Sequence, residues 1–130
     1  MFAGNPTSER PRVLVVEDEA MLAFMLEDLL AEMGCVVSHV AGRLQEGLSF
    51  AREAEIDFAL LDVNLGDADR SFAIAEELHR RGIPFAFVTG YGRRGLEGRF
   101  PGAPVVNKPV RISDLHSLVR GEGWSPRDPN

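Results

Sequence analysis

Cysteine, lysine, tryptophan and tyrosine each occur once in this chain of 130 residues. A lone Cys35 excludes an intrachain disulfide and a cysteine-built metal cluster. No apolar run approaches the length needed to cross a bilayer. The opening MFAGNPTSERPR lacks the apolar core of a secretory leader, so a cytoplasmic protein is expected. Positive charge is also scarce: 14 Lys and Arg stand against 20 Asp and Glu, a net charge of −6. That balance argues against a nucleic-acid-binding surface. It would suit a pocket built for a cation, and solubility explains it equally well. The 45% apolar and 26% charged residues are ordinary for a globular chain. At this length one domain with a real core is expected.

Of the 14 basic residues, 13 are arginine; the single lysine is Lys108, in VVNKPV. On solvated surfaces the two residues are nearly equivalent. They differ where a compact ammonium on a flexible stem is needed rather than a planar fork. Lys108 is therefore either a chance surface residue or part of a site that requires lysine.

The hydrophobic pattern alternates in type along the chain. RVLVVE (12–17), CVVSHVA (35–41), DFALLD (57–62), PFAFVTG (84–90) and APVVNKP (103–109) read as short strands. The first and third have the near-continuous apolar character of strands buried on both faces. Between them, 20–34 carries apolar residues at helical spacing and ends at Gly34. Segments 43–54, 70–82 and 112–121 read as further helices. Such alternation predicts a parallel sheet covered by helices on both faces. One interval breaks the rhythm. Residues 91–104 contain Gly92, Gly95, Gly98, Gly102, Pro101 and Pro104 and no apolar stripe. At most one turn near 93–97 is expected there, in an otherwise irregular or mobile segment.

Ligands of open parallel sheets bind at the carboxyl ends of the strands. Those ends carry Glu17, Asp18 and Glu19 after the first strand, Asp62 after the third, Thr89 and Gly90 after the fourth, and Asn107 and Lys108 after the fifth. Two carboxylates about 4 Å apart repel by roughly 4 kcal/mol at an effective dielectric of 20. Either one takes up a proton or a metal ion lies among them. Hard oxygen ligands with room for water suit Mg²⁺. A site with Mg²⁺, an ammonium and a hydroxyl is suited to a phosphoryl group, with Asp62 as a possible nucleophile.

The motifs VLVVEDE, ALLDVNL, FVTGYG and VVNKP, in this order and spacing, resemble the receiver domain of bacterial two-component response regulators. The resemblance covers about residues 11–121, leaving tails at 1–10 and 122–130. It implies a flavodoxin-like, doubly wound, five-stranded parallel sheet of order 2-1-3-4-5, with a short fourth helix. It further implies Asp62 as phosphoacceptor, Glu17 and Asp18 as Mg²⁺ ligands with Asp62, and a backbone carbonyl of Asn64 on the metal. Thr89 would be the switch hydroxyl, Lys108 the partner of a phosphoryl oxygen, and Lys108–Pro109 a cis peptide. The implied partners are a sensor histidine kinase or histidine phosphotransfer protein, and a downstream protein target. Nine residues after Gly121 are too few for an output domain, so a stand-alone receiver is expected, monomeric or weakly dimeric, with no nucleic-acid or membrane partner.

The chain departs from the family pattern in places. Glu17 replaces the commoner Asp, and Val105 stands where many receivers place an aromatic switch. PFAFVTGYG is similar to a subgroup with a Phe-Ala-Thr-Gly-Tyr-type motif, and Tyr91 is a candidate to replace the missing aromatic. Two competing functions remain: a phosphorylation-independent pseudo-receiver, and a Mg²⁺-dependent phosphohydrolase. The second would need an acid two residues past the nucleophile, where Asn64 stands.

Blander roles are expected elsewhere. Glu19 reads as a helix-N-terminal charge, and Asp67 and Asp69 as residues that cap or open the third helix. Cys35 reads as a buried, inert thiol. His79 and His116 read as helix-surface residues, and Arg93, Arg94 and Arg99 as a solvated run. Trp124 is an oddity of the tail.

Overall fold

The computed structural model describes residues 10–66 and 69–121. The expected tails lie outside these residues except for Arg10, as do Asp67 and Trp124. The elements run β1 (Arg12–Val16), α1 (Ala20–Glu32), β2 (Val36–Ala41), α2 (Leu44–Glu53), β3 (Phe58–Asp62), β4 (Asn64–Leu65), β5 (Asp69–Arg70), α3 (Phe72–Arg80), β6 (Phe85–Thr89), a 3₁₀ turn (Gly92–Leu96), β7 (Val105–Asn107) and α4 (Ile112–Arg120).

Five strands form one parallel sheet in the order β2-β1-β3-β6-β7. Counting only that sheet's strands in chain order, this is 2-1-3-4-5, as the resemblance implies. β3 and β6 are buried along their whole length, which is why their sequences are continuous apolar runs rather than alternating ones. Two clusters, one on each face, make the core. Leu14, Leu61, Ile74, Leu78 and Phe87 lie in one, against α2 and α3. Val13, Val15, Leu26, Leu60, Val88 and Leu115 lie in the other, against α1 and α4.

β4 and β5 are two residues each and pair antiparallel after Asp62; elements so short leave no periodic signal in the sequence. Their presence corrects the expectation for Asp69. It lies in β5, and the residue before α3 is Ser71, whose side chain makes no cap hydrogen bond. The 91–104 interval holds the single turn expected of it. It is not loose, however. Phe100 packs its ring against Phe72, Phe85 and Phe87. Arg93 donates to the carbonyls of Phe100, Pro101 and Ala103. Arg70 pairs with Glu97 and Arg99 with Glu76, tying the segment to the α3 side. Arg93, Arg94 and Arg99 are exposed, as expected of a solvated run, but Arg93 and Arg99 are also held by these partners. Cys35 is buried, and His79 and His116 are exposed, as expected.

Candidate functional site

Parallel pairing sets β1 beside β3, so the chain leaves both strands at the same edge. Glu17, Asp18 and Asp62 meet there: one oxygen from each lies within 4.8 Å of the others. Glu17 and Asp62 are 3% and 5% exposed, and Asp18 faces solvent. The backbone pins Glu17 and Asp18. The Glu17 N–H donates to Ala41 O at 2.9 Å. The Glu19 N–H donates to Glu17 Oε2 at 3.1 Å, and the Gly66 N–H to Asp18 Oδ2 at 3.0 Å.

Lys108 reaches the acids from the end of β7. Its N–H donates to Thr89 O at 2.9 Å, and the Lys108–Pro109 peptide is cis. Nζ donates to Asp62 Oδ2 at 3.2 Å and lies 3.8 Å from Glu17 Oε1 and 3.9 Å from Glu19 Oε1. The third contact was not foreseen. Glu19 is the residue before α1, as its sequence position suggested, but its carboxylate also turns onto Lys108. The only available signal was its place beside two other acids.

The electrostatics follow from crowding and burial. Burial raises Glu17 to about 8; the Glu19 N–H and Lys108 oppose this, while Asp62's charge adds to it. Burial also raises Asp62, with Lys108 pulling the other way. Burial lowers Lys108, but Asp62, Glu17 and Glu19 outweigh it and the net shift is upward. The protein without a metal therefore keeps Lys108 charged and holds a proton on Glu17 near neutral pH.

Do these residues fit a divalent cation? Glu17 Oε1 is buried without a hydrogen-bond partner. Leaving a buried polar atom unpaired costs about 1–3 kcal/mol, and a cation among three carboxylate oxygens would satisfy it. The donor set is all oxygen, with Asp18 open to water, which is the pattern of a Mg²⁺ site. The residues fit.

Asn64 follows Asp62 in β4 and is exposed. With Gly66, Arg70, Tyr91 and Arg94 it lines a cleft of about 720 Å³ beside the acids. Tyr91 is 66% exposed. Thr89 ends β6 and is 1% exposed, and its Oγ1 accepts from the Tyr91 N–H at 3.1 Å. The structure thus brings Glu17, Asp18, Asp62 and Lys108 into contact. It places Asn64 and Tyr91 on the rim, and it engages Thr89 with the backbone of the next loop.

A doubly wound sheet with three acids and one lysine at its carboxyl edge defines a flavodoxin-like α/β domain with a lysine-neutralised acidic pocket. The chain belongs to the response regulator receiver domain family, whose model matches residues 13–120, and so to the proteins of two-component signalling. Among curated relatives, it is 33% identical over 107 residues to the transcriptional regulatory protein PdtaR of Mycobacterium tuberculosis, covering 80% of this chain and 52% of that protein. It is 29% identical over 110 residues to the phyllosphere-induced regulator PhyR of Methylorubrum extorquens, covering 82% and 41%. The chain thus spans about half the length of these relatives. Among solved structures, SdrG from Sphingomonas melonis Fr1 superposes with a TM-score of 0.76 at 33% identity, covering 86% of this chain and 95% of that one. The BeF3-activated conformation of SdrG gives 0.72 at 34% identity, covering 84% and 92%. No helix among the described residues is long and apolar enough to cross a membrane.

Proposed function

We propose that the protein is a phosphoacceptor receiver in two-component signalling or a phosphorelay, switched by Mg²⁺-dependent phosphorylation of Asp62. The observation that carries this reading is the Asp62 carboxylate. It is 5% exposed at the end of β3, grouped with Glu17 and Asp18 and hydrogen-bonded by the chain's single lysine.

Asp62 would attack phosphorus through a carboxylate oxygen. The P–N bond of a phosphohistidine donor, or the P–O bond of an acyl phosphate, breaks, and its electron pair leaves with the donor. Asp62 is left as a mixed anhydride. A carboxylate nucleophile needs no general base, so the remaining residues position the group and balance its charge. Lys108, already on Asp62, would hold one phosphoryl oxygen. Glu17, Asp18, Asp62 and the carbonyl of Asn64 would hold Mg²⁺, which when bound neutralises charge on the transferring group. The Thr89 hydroxyl would turn to donate to a second phosphoryl oxygen, and Tyr91 would report that turn at the surface.

Asn64 cannot serve as a proton donor, which speaks against a turnover phosphohydrolase and for self-dephosphorylation only. The donor would be a sensor histidine kinase or a histidine phosphotransfer protein in the cytoplasm. The output would be a downstream protein bound by a monomer or weak dimer. The existence of a BeF3-activated conformation for SdrG supports the reading, because fluoroberyllate has the shape of a phosphoryl group on a carboxylate.

The test is intact-mass spectrometry after incubation with acetyl phosphate. The expected result is one phosphoryl adduct that requires Mg²⁺ and is absent in Asp62→Asn. No adduct on a wild type shown separately to bind Mg²⁺, from acetyl phosphate or from a phosphorylated histidine donor, would overturn the proposal in favour of a phosphorylation-independent module.

A further inference from the structure

The 3₁₀ turn Gly92–Leu96 sits directly on Thr89. A Cβ built on Gly95 would lie 2.6 Å from Thr89 Oγ1, 3.4 Å from its Cβ and 3.6 Å from its Cγ2. Real Cβ atoms essentially never approach another heavy atom to within 3.0 Å. Gly95 is not among the glycines with positive φ, so its own backbone accepts any residue. Alanine is also the better helix former by about 1 kcal/mol. The local backbone therefore gives no reason for glycine at 95. The neighbouring hydroxyl does.

We propose that Gly95 is a positioning residue for Thr89: its missing side chain leaves the seat in which the Thr89 hydroxyl rests beneath the turn, and the turn thereby reads the rotamer of Thr89. The functional consequence rests on the phosphoacceptor reading; the stereochemistry does not.

If a methyl were placed at 95, either the turn or the threonine must yield. The turn is held from several sides. Leu96 is fully buried. Arg93 bonds three carbonyls further along the segment, and Arg70 pairs with Glu97. The Thr89 backbone is also fixed, paired in register with Asn107 and bonded through its carbonyl to the Lys108 N–H. Rotation about χ1 of Thr89 is the softest motion left, and it has three staggered wells.

Stereochemistry then selects one of them. The present well puts oxygen in the seat. One rotation puts the methyl there, which is bulkier than the hydroxyl. The other puts hydrogen there and carries the hydroxyl to the place now held by Cγ2, where the distance to the new methyl is an ordinary 3.6 Å. A side chain at 95 therefore evicts the hydroxyl into a single alternative rotamer. The same departure frees the Tyr91 N–H, whose acceptor is that hydroxyl. A Thr89 that turns toward a phosphoryl group makes this departure without any substitution. Gly95 and the Tyr91 amide are the two groups that register it.

The experiment compares wild type with Gly95→Ala. Three-bond couplings to Thr89 Cγ2, measured by NMR without Mg²⁺ or phosphoryl analogue, report χ1. Wild type should occupy one rotamer and the variant the other, with a shift of the Tyr91 amide. Titration with fluoroberyllate and Mg²⁺ should then show tighter binding in the variant, about tenfold if the released rotamer is populated at about 10% in wild type. A Thr89 that keeps its rotamer in the variant overturns the proposal. So does a rotated Thr89 with unchanged fluoroberyllate affinity. Failure of the wild type itself to bind fluoroberyllate would count against the phosphoacceptor reading and leave the rotamer result standing. If Gly95→Ala does not fold, Thr89→Ala in the same chain should restore folding. A double variant that also fails to fold would overturn the proposal.

Discussion

Lys108 and Asp62 are 46 positions apart in sequence, yet Nζ donates to Oδ2 at 3.2 Å across the carboxyl edge of the sheet. The same ammonium lies within 3.9 Å of Glu17 and Glu19. One compact cation thus serves three acids, two of them buried. The preference for lysine in an otherwise arginine-based chain follows from that geometry. A planar five-donor fork cannot direct a single charge at three converging carboxylates.

Substitution of Lys108 should therefore separate charge from shape. A charge-assisted hydrogen bond is worth about 1.5–3 kcal/mol, or roughly 10–100-fold in rate if it acts in the transition state. Lys108→Gln should slow adduct formation from acetyl phosphate by that order while leaving the fold intact. Lys108→Arg should recover only part of the loss. A Lys108→Arg protein labelled at the wild-type rate would show that any cation suffices.

The acids also predict how stability depends on pH. Glu17 stands at about 8 in the folded chain against 4.5 ordinarily, and Asp62 is raised as well. A carboxyl raised by folding binds more protons in the native state than in the unfolded one between those two values. Stability should then fall as pH rises from about 4.5 to about 8, with the full contribution present only below that window. Urea unfolding in EDTA at pH 5.5 and 8.5 should show the drop, and Glu17→Gln should remove most of it. Added Mg²⁺ should reverse the trend, since a cation favours the ionised acids. A metal-free protein more stable at pH 8.5 than at 5.5 would contradict this picture.

Much of this was legible in the sequence for physical reasons. Strands buried on both faces must be continuous apolar runs, so β1 and β3 stood out. In a parallel sheet the carboxyl ends of the strands fall on one edge, so the sequence alone groups Glu17, Asp18 and Asp62 with Lys108 from the last strand. What stayed hidden depends on contacts between distant positions. Arg70 with Glu97 and Arg99 with Glu76 bridge 27 and 23 positions, and they turn a glycine-rich interval into a fixed segment. Gly95 read as one of several helix-weakening glycines, because only packing reveals the Thr89 hydroxyl beneath it. The two-residue strands β4 and β5 are too short for a period to register.

Tyr91 is the chain's single tyrosine, so its ring resonances report on one site. Its ring is exposed while its amide is bound to Thr89. If Thr89 releases that amide on phosphorylation, the ring should change environment with it. Fluoroberyllate and Mg²⁺ should shift the Tyr91 ring signals in the wild type and leave them unmoved in Asp62→Asn. Binding of fluoroberyllate without any ring shift would remove Tyr91 as the reporter.

Arg93 should matter to the segment more than to the sheet. Its guanidinium spans the carbonyls of Phe100, Pro101 and Ala103, closing the loop between the turn and β7. Those three acceptors fit a fork, and a single ammonium cannot reproduce the arrangement. Loss of hydrogen bonds from a charged donor costs about 1.5–3 kcal/mol each where they are shielded, and less here because Arg93 is exposed. Arg93→Ala should therefore lower global stability by about 1–2 kcal/mol at most, and amide exchange in 92–104 should speed up far more than in β3. Arg93→Lys should resemble Arg93→Ala rather than wild type. Uniformly faster exchange across β3 and β6 would instead mean that the segment and the sheet open as one cooperative unit, and that the clamp has no local role.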